Sequence, residues 1–345
     1  MKRFKFLSVL SAGVFALLLI TSCENQEVEF PDFEHTSVYF PYQFPVRTVV
    51  LGDDIYDNTL DNEHKVKIYA TMGGVYQNDK NIEIDFVVDN ALCNNLYFAD
   101  ESAVQPMPAN YYSLDGDVIS LNGDVQGGVE VQLSDAFFAD AGSINNTYVI
   151  PLRMTGVSNA DSILDGSPLV ADPVRPNTAD WDVQPKDFVL YAVKYINPWD
   201  ANYLRRGEDV ITENGETTTE VRHEEFVEYD EVVNLSTASL NSVIFPVHTS
   251  VLEGENVVTL TCDLVLTFDG NNDITITSGT DEYTASGSGK FVKDGEKNSW
   301  GNKDRNALYL DYSVDFLTKQ YQTKDTLVVR DRGVKIETFS PTYTE

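Results

Sequence analysis

The feature that most constrains the fold is a two-residue alternation of apolar and polar side chains in the C-terminal half. In the stretch VVTLTCDLVLTF, residues 257–268, one face is apolar and the other is mostly polar. The apolar face consists of Val258, Leu260, Cys262, Leu264, Leu266 and Phe268. Because successive side chains of a β-strand point to opposite faces, the pattern predicts a strand with one buried face. No long helical period interrupts this half, so we expect it to be built from strands.

Eight or nine such segments follow one another from residue 188 onward. Dipeptides typical of tight turns separate them, as at Asn214-Gly215, Asp269-Gly270 and Asp294-Gly295. Alternating strands with short turns favour an antiparallel meander. Closing the meander removes its exposed edges, so we predict an antiparallel β-barrel for residues 188–345.

The first half is also rich in short strands. About seven of them lie in residues 36–169, with turn signals between them, and this pattern is typical of a β-sandwich. Residues 170–187 contain three prolines and show no periodicity, which indicates a linker or a long crossing loop. We therefore predict an all-β protein with two domains.

The N-terminus has the layout of an export signal. A basic start is followed by an uncharged apolar run from Phe6 to Ile20 that is short for a membrane span. The sequence Ile20-Thr21-Ser22-Cys23 resembles the lipobox of bacterial lipoproteins, in which the cysteine is lipidated on sulfur, the signal is cut just before it, and the new amino end is acylated. The resemblance predicts a signal peptide at residues 1–22 and a lipid anchor on Cys23; the alternative is an ordinary signal with an incidental cysteine. Residues 23–35 are polar and acidic, and we expect a flexible tether.

The chain is strongly acidic, with a net charge of −31 that becomes −34 when the three basic residues of the signal are removed. Nucleic acids and anionic lipid surfaces are polyanions, so this charge argues against both as partners. Cys93 and Cys262 are far apart in the sequence, and we expect each to be a small buried apolar residue rather than half of a disulfide.

Motifs of catalysis are missing from the sequence. The four histidines form no HExxH pattern, no serine lies in GxSxG, and ASGSGKF lacks the glycine and the Ser or Thr of a phosphate-binding loop. With 55 acidic residues, no catalytic carboxylate pair can be singled out. We predict that the protein is not an enzyme and uses no cofactor; a hydrolase with an unrecognised carboxylate pair is the rival.

Two acidic loops are candidates for calcium, because Ca²⁺ takes six to eight oxygen ligands. One contains Asp53, Asp54, Asp57, Asp61 and Glu63. The other contains Asp269, Asn271 and Asp273, and its sequence is already explained as a hairpin turn. We expect solvated loops and no bound metal, with calcium in the first loop as the alternative.

The tryptophans suggest a binding role. Trp199 and Trp300 lie in polar loops, and each has carboxylate, amide and guanidinium side chains close by in the sequence. Sugar sites combine an aromatic face, which packs on a pyranose ring, with polar groups that hydrogen-bond to the hydroxyls. The predicted glycan-binding residues are Trp199, Asp200, Tyr203, Arg205, Trp300, Asn302, Asp304 and Arg305. For Trp199 the alternative, a plug at the end of the barrel, is favoured over a sugar platform.

The whole chain resembles the two-domain surface lipoproteins encoded beside glycan-uptake (Sus-like) genes in gut Bacteroidetes. Besides the lipobox, the resemblance rests on three stretches: VYFPYQFPVRTVVLGDDIYDNTLDNEHKVKIYATMGGVY, WDVQPKDFVLYAVKYINPWDANYLRRG, and SGSGKFVKDGEKNSWGNKDRNALYLDYSVDF with YQTKDTLVVRDRGVKIETFSP after it. It implies an immunoglobulin-like sandwich followed by a lipocalin-like barrel. It also implies a lipid anchor in the outer membrane, facing the cell exterior.

The implied role is an accessory protein that binds a polysaccharide or oligosaccharide at the cell surface. One rival is a structural or assembly subunit that docks on an outer-membrane importer complex. The other is a lipocalin-like carrier of a small apolar ligand, which would require a wide apolar barrel interior.

Overall fold

Two curled sheets form the first domain. The computed structural model describes residues 32–344. The strands of this domain up to the crossing into the barrel are β1 (Ser37–Tyr39), β2 (Pro45–Val50), β3 (Lys65–Gly73), β4 (Asn81–Val88), β5 (Leu96–Tyr97), β6 (Gln105–Pro106), β7 (Tyr112–Leu114), β8 (Val118–Asn122), β9 (Gln126–Leu133), β10 (Tyr148–Ser158), β11 (Ser162–Ile163), β12 (Ser167–Pro168), β13 (Trp181–Val183) and β14 (Phe188–Ile196).

The apolar side chains of these strands form a main core between the sheets and a second cluster that includes residues of β5, β10 and β14. In β3, Val66, Ile68 and Ala70 are buried while their neighbours are more exposed, as the alternation predicts. One sheet has the order β11-β1-β3-β9-β7, and the other contains β2-β14-β10-β4-β8 with β6 beside β10. Side chains from both sheets form the main core. The predicted sandwich is confirmed.

The strand β14 is placed differently from the prediction. We assigned it to the barrel, but it pairs with β10 and with β2 in the sandwich. Residues 170–187 therefore join two strands of one domain, and the chain passes into the barrel at residues 197–200. Burial explains the error: β14 has buried residues on both faces, as a central strand does, and such a pattern does not reveal which strands flank it.

Between residues 32 and 344, helices are few and short. The α-helices in this range are α1 (Thr59–Asn62) and α2 (Asp135–Ala139). Single 3₁₀ turns occur at Asn90–Cys93, Ala141–Ile144, Thr178–Asp180, Val227–Tyr229 and Trp300–Asn302.

The second domain is a closed antiparallel barrel. Its strands are β15 (Ala201–Glu213), β16 (Glu216–Arg222), β17 (Glu231–Ser239), β18 (Ser242–Glu253), β19 (Asn256–Phe268), β20 (Asp273–Ser278), β21 (Thr284–Glu296), β22 (Arg305–Asp315) and β23 (Lys319–Asp331). From β17 to β23, each strand pairs with the next, and β23 pairs along the length of β15. Eight strands thus close the ring, as predicted. Strand β16 extends from β15 alone and leaves its other edge unpaired within the described residues.

Side chains occupy the barrel interior. One part is a buried apolar cluster that includes Phe245, Leu264 and Leu310. The glycine-rich stretch ASGSGKF lies in β21, where a Cβ on Gly287 would come within 2.5 Å of Asp311 O. The glycine is required there for the close approach of β21 to β22.

A second part of the interior is ionic. Asp325 accepts hydrogen bonds from Arg205 Nε (3.0 Å) and Arg222 Nη2 (2.7 Å). Asp209 accepts from Arg222 Nε (2.7 Å), and the Tyr312 hydroxyl donates to Asp325 (2.7 Å). Carboxylates and guanidinium groups are thereby paired where water is scarce.

The C-terminal segment returns to the sandwich. Strand β24 (Glu337–Thr338) pairs with β2, and β25 (Thr342–Tyr343) pairs with β5. The predicted barrel range 188–345 therefore includes sandwich strands at both of its ends. Cys93 and Cys262 are free and buried, as expected, and burial raises the pKa of the Cys93 thiol to about 12.

The predicted signal peptide, Cys23 and most of the predicted tether lie outside the described residues. The last tether residues contact the sandwich: Phe33 N donates to Gly74 O (2.7 Å), and Tyr76 N donates to the Asp32 carboxylate (2.7 Å).

Candidate functional site

A cleft of about 1120 Å³ lies where the sandwich meets the barrel. Three segments form most of its walls: the acidic loop of residues 53–58, the Trp300 loop of residues 300–306, and residues 329–336, which leave β23 and which we call the strap. Residues of β2 complete it. The cleft therefore exists only when both domains are folded and joined.

Arg332 fixes the acidic loop against the barrel. Its guanidinium donates to the carbonyl oxygens of Leu51 and Asp53, both at 3.0 Å, on the sandwich side. It also donates to Asn197 O (2.6 Å) and Asp200 O (2.7 Å), where the chain enters the barrel. Burial lowers the pKa of Arg332. One side chain thus ties both domains together at the base of the cleft.

Gly52 allows this close approach. Its φ is +85°, and a Cβ at this position would lie 2.7 Å from Pro198 Cβ. A residue with a side chain would therefore meet both backbone strain and a clash. Gly52, directly before the acidic loop, thereby packs against Pro198 in the segment that enters the barrel.

The strap is held at both ends. At one end it continues from β23 of the barrel, and at the other Val46 pairs with Glu337 in the sandwich. The Lys194 ammonium forms an ion pair with Glu337 (2.8 Å). Between these ends Ile336 is fully exposed in the cleft. The strap is therefore a fixed wall rather than a free tail.

The Trp300 loop is also well ordered by local contacts. The Arg305 guanidinium lies over the Trp300 ring, 4.5 Å from its centroid, and Arg305 Nε donates to Trp300 O (2.9 Å). The Asp304 carboxylate accepts from Asn298 N (3.0 Å) and Lys297 Nζ (2.9 Å). These contacts lower the pKa of Asp304. The aromatic ring and the guanidinium are thus held together before any ligand arrives.

The acidic loop brings apolar groups to the same cleft. Ile55 is 79% exposed and Tyr56 is 75% exposed. Large apolar side chains with so much exposed surface are typical of binding sites when several of them share a concave surface. Together with Trp300 they give the cleft aromatic surface from both domains.

The carboxylates of the cleft are already engaged. Asp61 is buried and accepts from Arg47 and from Val50 N (2.8 Å). Asp53 forms an ion pair with Lys293 (2.7 Å), and Asp57 accepts from the Thr59 hydroxyl (2.7 Å). The hydrogen bonds from Thr59 lower the pKa of Asp57. A general acid needs a raised pKa, so neither Asp57 nor Asp304 has that character.

The same contacts bear on the predicted calcium loop. Within residues 32–344, no group of three or more acidic, histidine or cysteine side chains is arranged to hold a metal ion. In the second acidic loop, the Asp269 carboxylate accepts from Asn271 N and Asp273 N, both at 2.8 Å. That loop is the turn of a hairpin, as its sequence indicates.

The predicted glycan-binding residues divide into two groups. Trp300, Asp304 and Arg305 line the cleft. Asn302 lies on the same loop and is exposed, but it does not line the cleft. Three of the four residues predicted on this loop therefore share one concave surface, and that they bind a glycan stays a prediction.

The other four predicted residues serve the barrel. Trp199 stacks on Phe268, with ring centroids 3.8 Å apart and planes 7° apart, as a plug would. The Asp200 carboxylate accepts from Thr237 N (2.6 Å) and the Thr237 hydroxyl (2.7 Å). Their placement as part of an open sugar site is corrected, because packing at the barrel end occupies their surfaces.

Tyr203 and Arg205 are corrected for the same reason. Tyr203 is 1% exposed, and its hydroxyl donates to Trp199 O (2.8 Å). Arg205 points into the barrel, where Asp325 pairs with it. Alternation along β15 predicts this inward orientation, since Ala201, Tyr203 and Arg205 share one face.

Several residues that line the cleft are not among the predicted site residues. Tyr56 lies in a loop that we considered only for calcium, although its apolar pair Ile55-Tyr56 among carboxylates was a usable signal. Arg332 and Lys335 lie in the strap, which the sequence did not separate from the barrel. Lys303 is on the Trp300 loop itself.

In the described part of the chain, no helix combines the length and apolar character needed to span a bilayer.

Two models of protein families each match one part of the chain. A model described as a domain of unknown function, DUF5627, matches residues 198–333, which is the barrel with its entrance. A second model, described as an N-terminal domain, matches residues 33–161. No curated protein matches the chain.

Solved structures also match. A Bacteroides ovatus protein described as of unknown function is 48% identical, with a TM-score of 0.85; the match covers 90% of this chain and 100% of that one. A multidomain Bacteroides ovatus protein including DUF1735 is 12% identical, with a TM-score of 0.39, over 88% of this chain and 100% of that one. An auxiliary nutrient binding protein from Bacteroides thetaiotaomicron is 13% identical, with a TM-score of 0.36, over 82% of this chain and 90% of that one.

Proposed function

This chain belongs to the two-domain family of that first Bacteroides ovatus protein, and for it we propose a non-catalytic role in glycan capture at the cell surface. The ligand is a polysaccharide or oligosaccharide, and its site is the cleft between the domains. The observation that carries the proposal is the shared cleft of Trp300 and Tyr56, with Arg305 held against the tryptophan.

The chemistry of the cleft suits a sugar. The apolar face of a pyranose packs on an aromatic ring, and its hydroxyls need donors and acceptors at the rim. Trp300 and Tyr56 supply the rings, and Asn306, Asn202 and Arg305 supply polar groups on the cleft walls. The volume of about 1120 Å³ is slightly above the range of about 300–1000 Å³ typical of ligand pockets, which leaves room for more than a small metabolite.

The anchor and the location belong to the same proposal. Cys23 carries lipid, the mature chain begins there, and the protein is held on the outer membrane facing the exterior. An acidic body is repelled by anionic surfaces, which suits a domain pair held away from the bilayer. Metabolic labelling with palmitate should mark the wild-type chain, and Cys23→Ala should abolish both the label and the membrane fraction. Label on the Cys23→Ala chain would contradict the assignment.

The glycan proposal is tested by isothermal calorimetry and affinity electrophoresis against a broad panel of glycans. At least one glycan should bind, and the double variant Tyr56→Ala/Trp300→Ala should lose that binding. Tyr76→Ala is the matched control, because Tyr76 is 68% exposed but does not line the cleft. Absence of binding to every glycan, or unchanged binding by the double variant, would overturn the proposal.

An assembly subunit of an importer complex is the second candidate, and one surface favours it. The outer edge of β16 is unpaired within the described residues, and an unpaired edge can accept a strand from a partner. Close in sequence, Phe226 and Tyr229 form an edge contact at 5.9 Å and are 49% and 68% exposed. Loss of membrane-protein co-purification in Phe226→Ser/Tyr229→Ser, with glycan binding intact, would support this role.

The third alternative, a carrier of a small apolar ligand, has less support. The interior of the barrel is occupied by the apolar cluster around Phe245 and by the ionic group around Asp325. Such a ligand would have to displace packed side chains or break ion pairs.

A further inference from the structure

The cleft differs in charge from the molecule that contains it. The full chain has 24 basic and 55 acidic residues. The cleft is lined by six basic residues and seven acidic ones. The basic residues are Arg47, Lys303, Arg305, Arg330, Arg332 and Lys335. A quarter of all the basic side chains thus meet at one concave site on an acidic protein.

Four of the seven acidic residues of the cleft, Asp53, Asp61, Asp304 and Asp331, form ion pairs with basic residues. Asp61 is paired with Arg47, inside the cleft. Asp53 and Asp304 are paired with Lys293 and Lys297, at 2.7 and 2.9 Å. Lys293 and Lys297 do not line the cleft, so they neutralise two of its carboxylates while the basic residues of the cleft remain available to other partners.

Four cations of the cleft have no such partner. Among the described residues, no carboxylate lies within ion-pair distance of Lys303, Arg305, Arg332 or Lys335. The Arg332 guanidinium instead donates hydrogen bonds to four backbone carbonyl oxygens. Arg305 is half-buried beside Trp300, and burial lowers the pKa of its guanidinium. A partly desolvated guanidinium without an anion has much to gain from an anionic ligand.

We infer that the glycan bound in this cleft is acidic. A sugar ring packs on Trp300, its carboxylate or sulfate ester contacts Arg305 and Lys303, and a further anionic group along the chain contacts Lys335 on the strap. The inference rests on the proposed glycan-binding function and specifies its substrate class. The acidic surface elsewhere does not forbid it, because charges more than about 8 Å away are largely screened at physiological ionic strength.

The test uses matched pairs of oligosaccharides. For the carboxylate, oligogalacturonate is compared with its methyl-esterified form; for the sulfate, a sulfated galactan oligosaccharide is compared with its desulfated form. Calorimetry should show binding of at least one acidic form and at least about tenfold weaker binding of its neutral partner. The pair that shows the difference identifies the anionic group.

Charge variants complete the test. Lys303→Gln/Lys335→Gln should weaken binding of the acidic form about three- to tenfold, the size expected for two partly exposed ion pairs. Lys324→Gln is the matched control, because Lys324 is exposed and lies outside the cleft. Equal binding of neutral and acidic forms, lost in the Tyr56→Ala/Trp300→Ala variant, would overturn this inference and leave the proposed function standing. No binding of any glycan, charged or neutral, would overturn both.

Discussion

Two tryptophan–arginine pairs with similar sequence contexts occupy opposite environments in this molecule. Trp199 stacks on Phe268 at the barrel end, and Arg205, on the same segment, pairs with the fully buried Asp325 carboxylate. Trp300 lies half-buried in the cleft, and Arg305 covers it without a carboxylate partner among the described residues. The barrel interior supplies the partners that make the first pair structural. The cleft leaves the second pair with unused binding capacity.

The largest effect should come from removing the buried partner of Arg205. Asp325→Ala leaves Arg205 and Arg222 without their shared carboxylate, and breaking a buried ion pair costs about 3–5 kcal/mol. Urea unfolding should show that loss of free energy of unfolding. Asp304→Ala, at the exposed pair of the cleft, is the comparison and should change stability little. Similar losses in both variants would contradict the contrast between the two regions.

Trp199→Ala should come next. It removes a large side chain stacked in the barrel end, and such truncations cost about 3 kcal/mol. Thermal and urea unfolding measure the loss. Glycan affinity of the folded fraction should be unchanged, since Trp199 does not line the cleft. A selective loss of affinity at wild-type stability would show that Trp199 is a sugar platform after all.

Trp300→Ala should give the reverse pattern. Its ring is partly exposed, so we expect a change of less than about 1 kcal/mol in the free energy of unfolding. Affinity for the glycan should fall about tenfold, the typical loss for truncating an aromatic contact. Calorimetry on Trp300→Ala and Trp300→Phe separates the role of the ring from that of its size. The phenylalanine variant should recover part of the affinity.

The smallest effect concerns how the contributions of two aspartates to the free energy of unfolding depend on pH. Burial raises the pKa of Asp200, whereas hydrogen bonds from Asn298 and Lys297 lower the pKa of Asp304. Folding therefore favours protonated Asp200, and its contribution to stability falls as pH rises from the unfolded pKa to the folded one. For Asp304, the contribution is present above the unfolded pKa and is lost as pH falls through the folded pKa.

Unfolding free energies from pH 3 to 7 measure this contrast. The stability of wild type relative to Asp200→Asn should decrease as pH rises, and that relative to Asp304→Asn should increase. The same sign for both variants would show that the two carboxylates share one kind of environment.

Local patterns in the sequence predicted the strands and the barrel well. The alternation in VVTLTCDLVLTF appears as β19, with Cys262, Leu264 and Leu266 buried on one face. Side-chain direction in a strand depends only on position along it, so one sequence is enough to derive it. The same rule places Tyr203 and Arg205 inward, and its use along β15 would have corrected two of the eight predicted site residues.

Pairing between distant segments was less accessible. Strand β14 is apolar or aromatic at every position except Lys194, and nothing in that pattern distinguishes a neighbour in the sandwich from a neighbour in the barrel. The strap shows the same difficulty, since Glu337 pairs with Val46 almost three hundred residues earlier in the chain. The entropic cost of closing a loop grows only slowly with loop length, so contacts between distant segments form readily. Such contacts leave no pattern in the local sequence from which they could be predicted.

By itself, the sequence determined the all-β class, the barrel, the buried cysteines and the presence of a polar loop that contains a tryptophan and an arginine. These properties follow from the periodicity and composition of short stretches of sequence, which can be read without knowing the contacts between distant segments. Only the tertiary structure decided that Trp300, Tyr56 and Lys335 face one cleft and that Trp199 does not. That decision depends on Arg332, Gly52 and the strap, which bring segments far apart in sequence into contact. Long-range contacts of this kind are properties of the folded domains together, and no single stretch contains them.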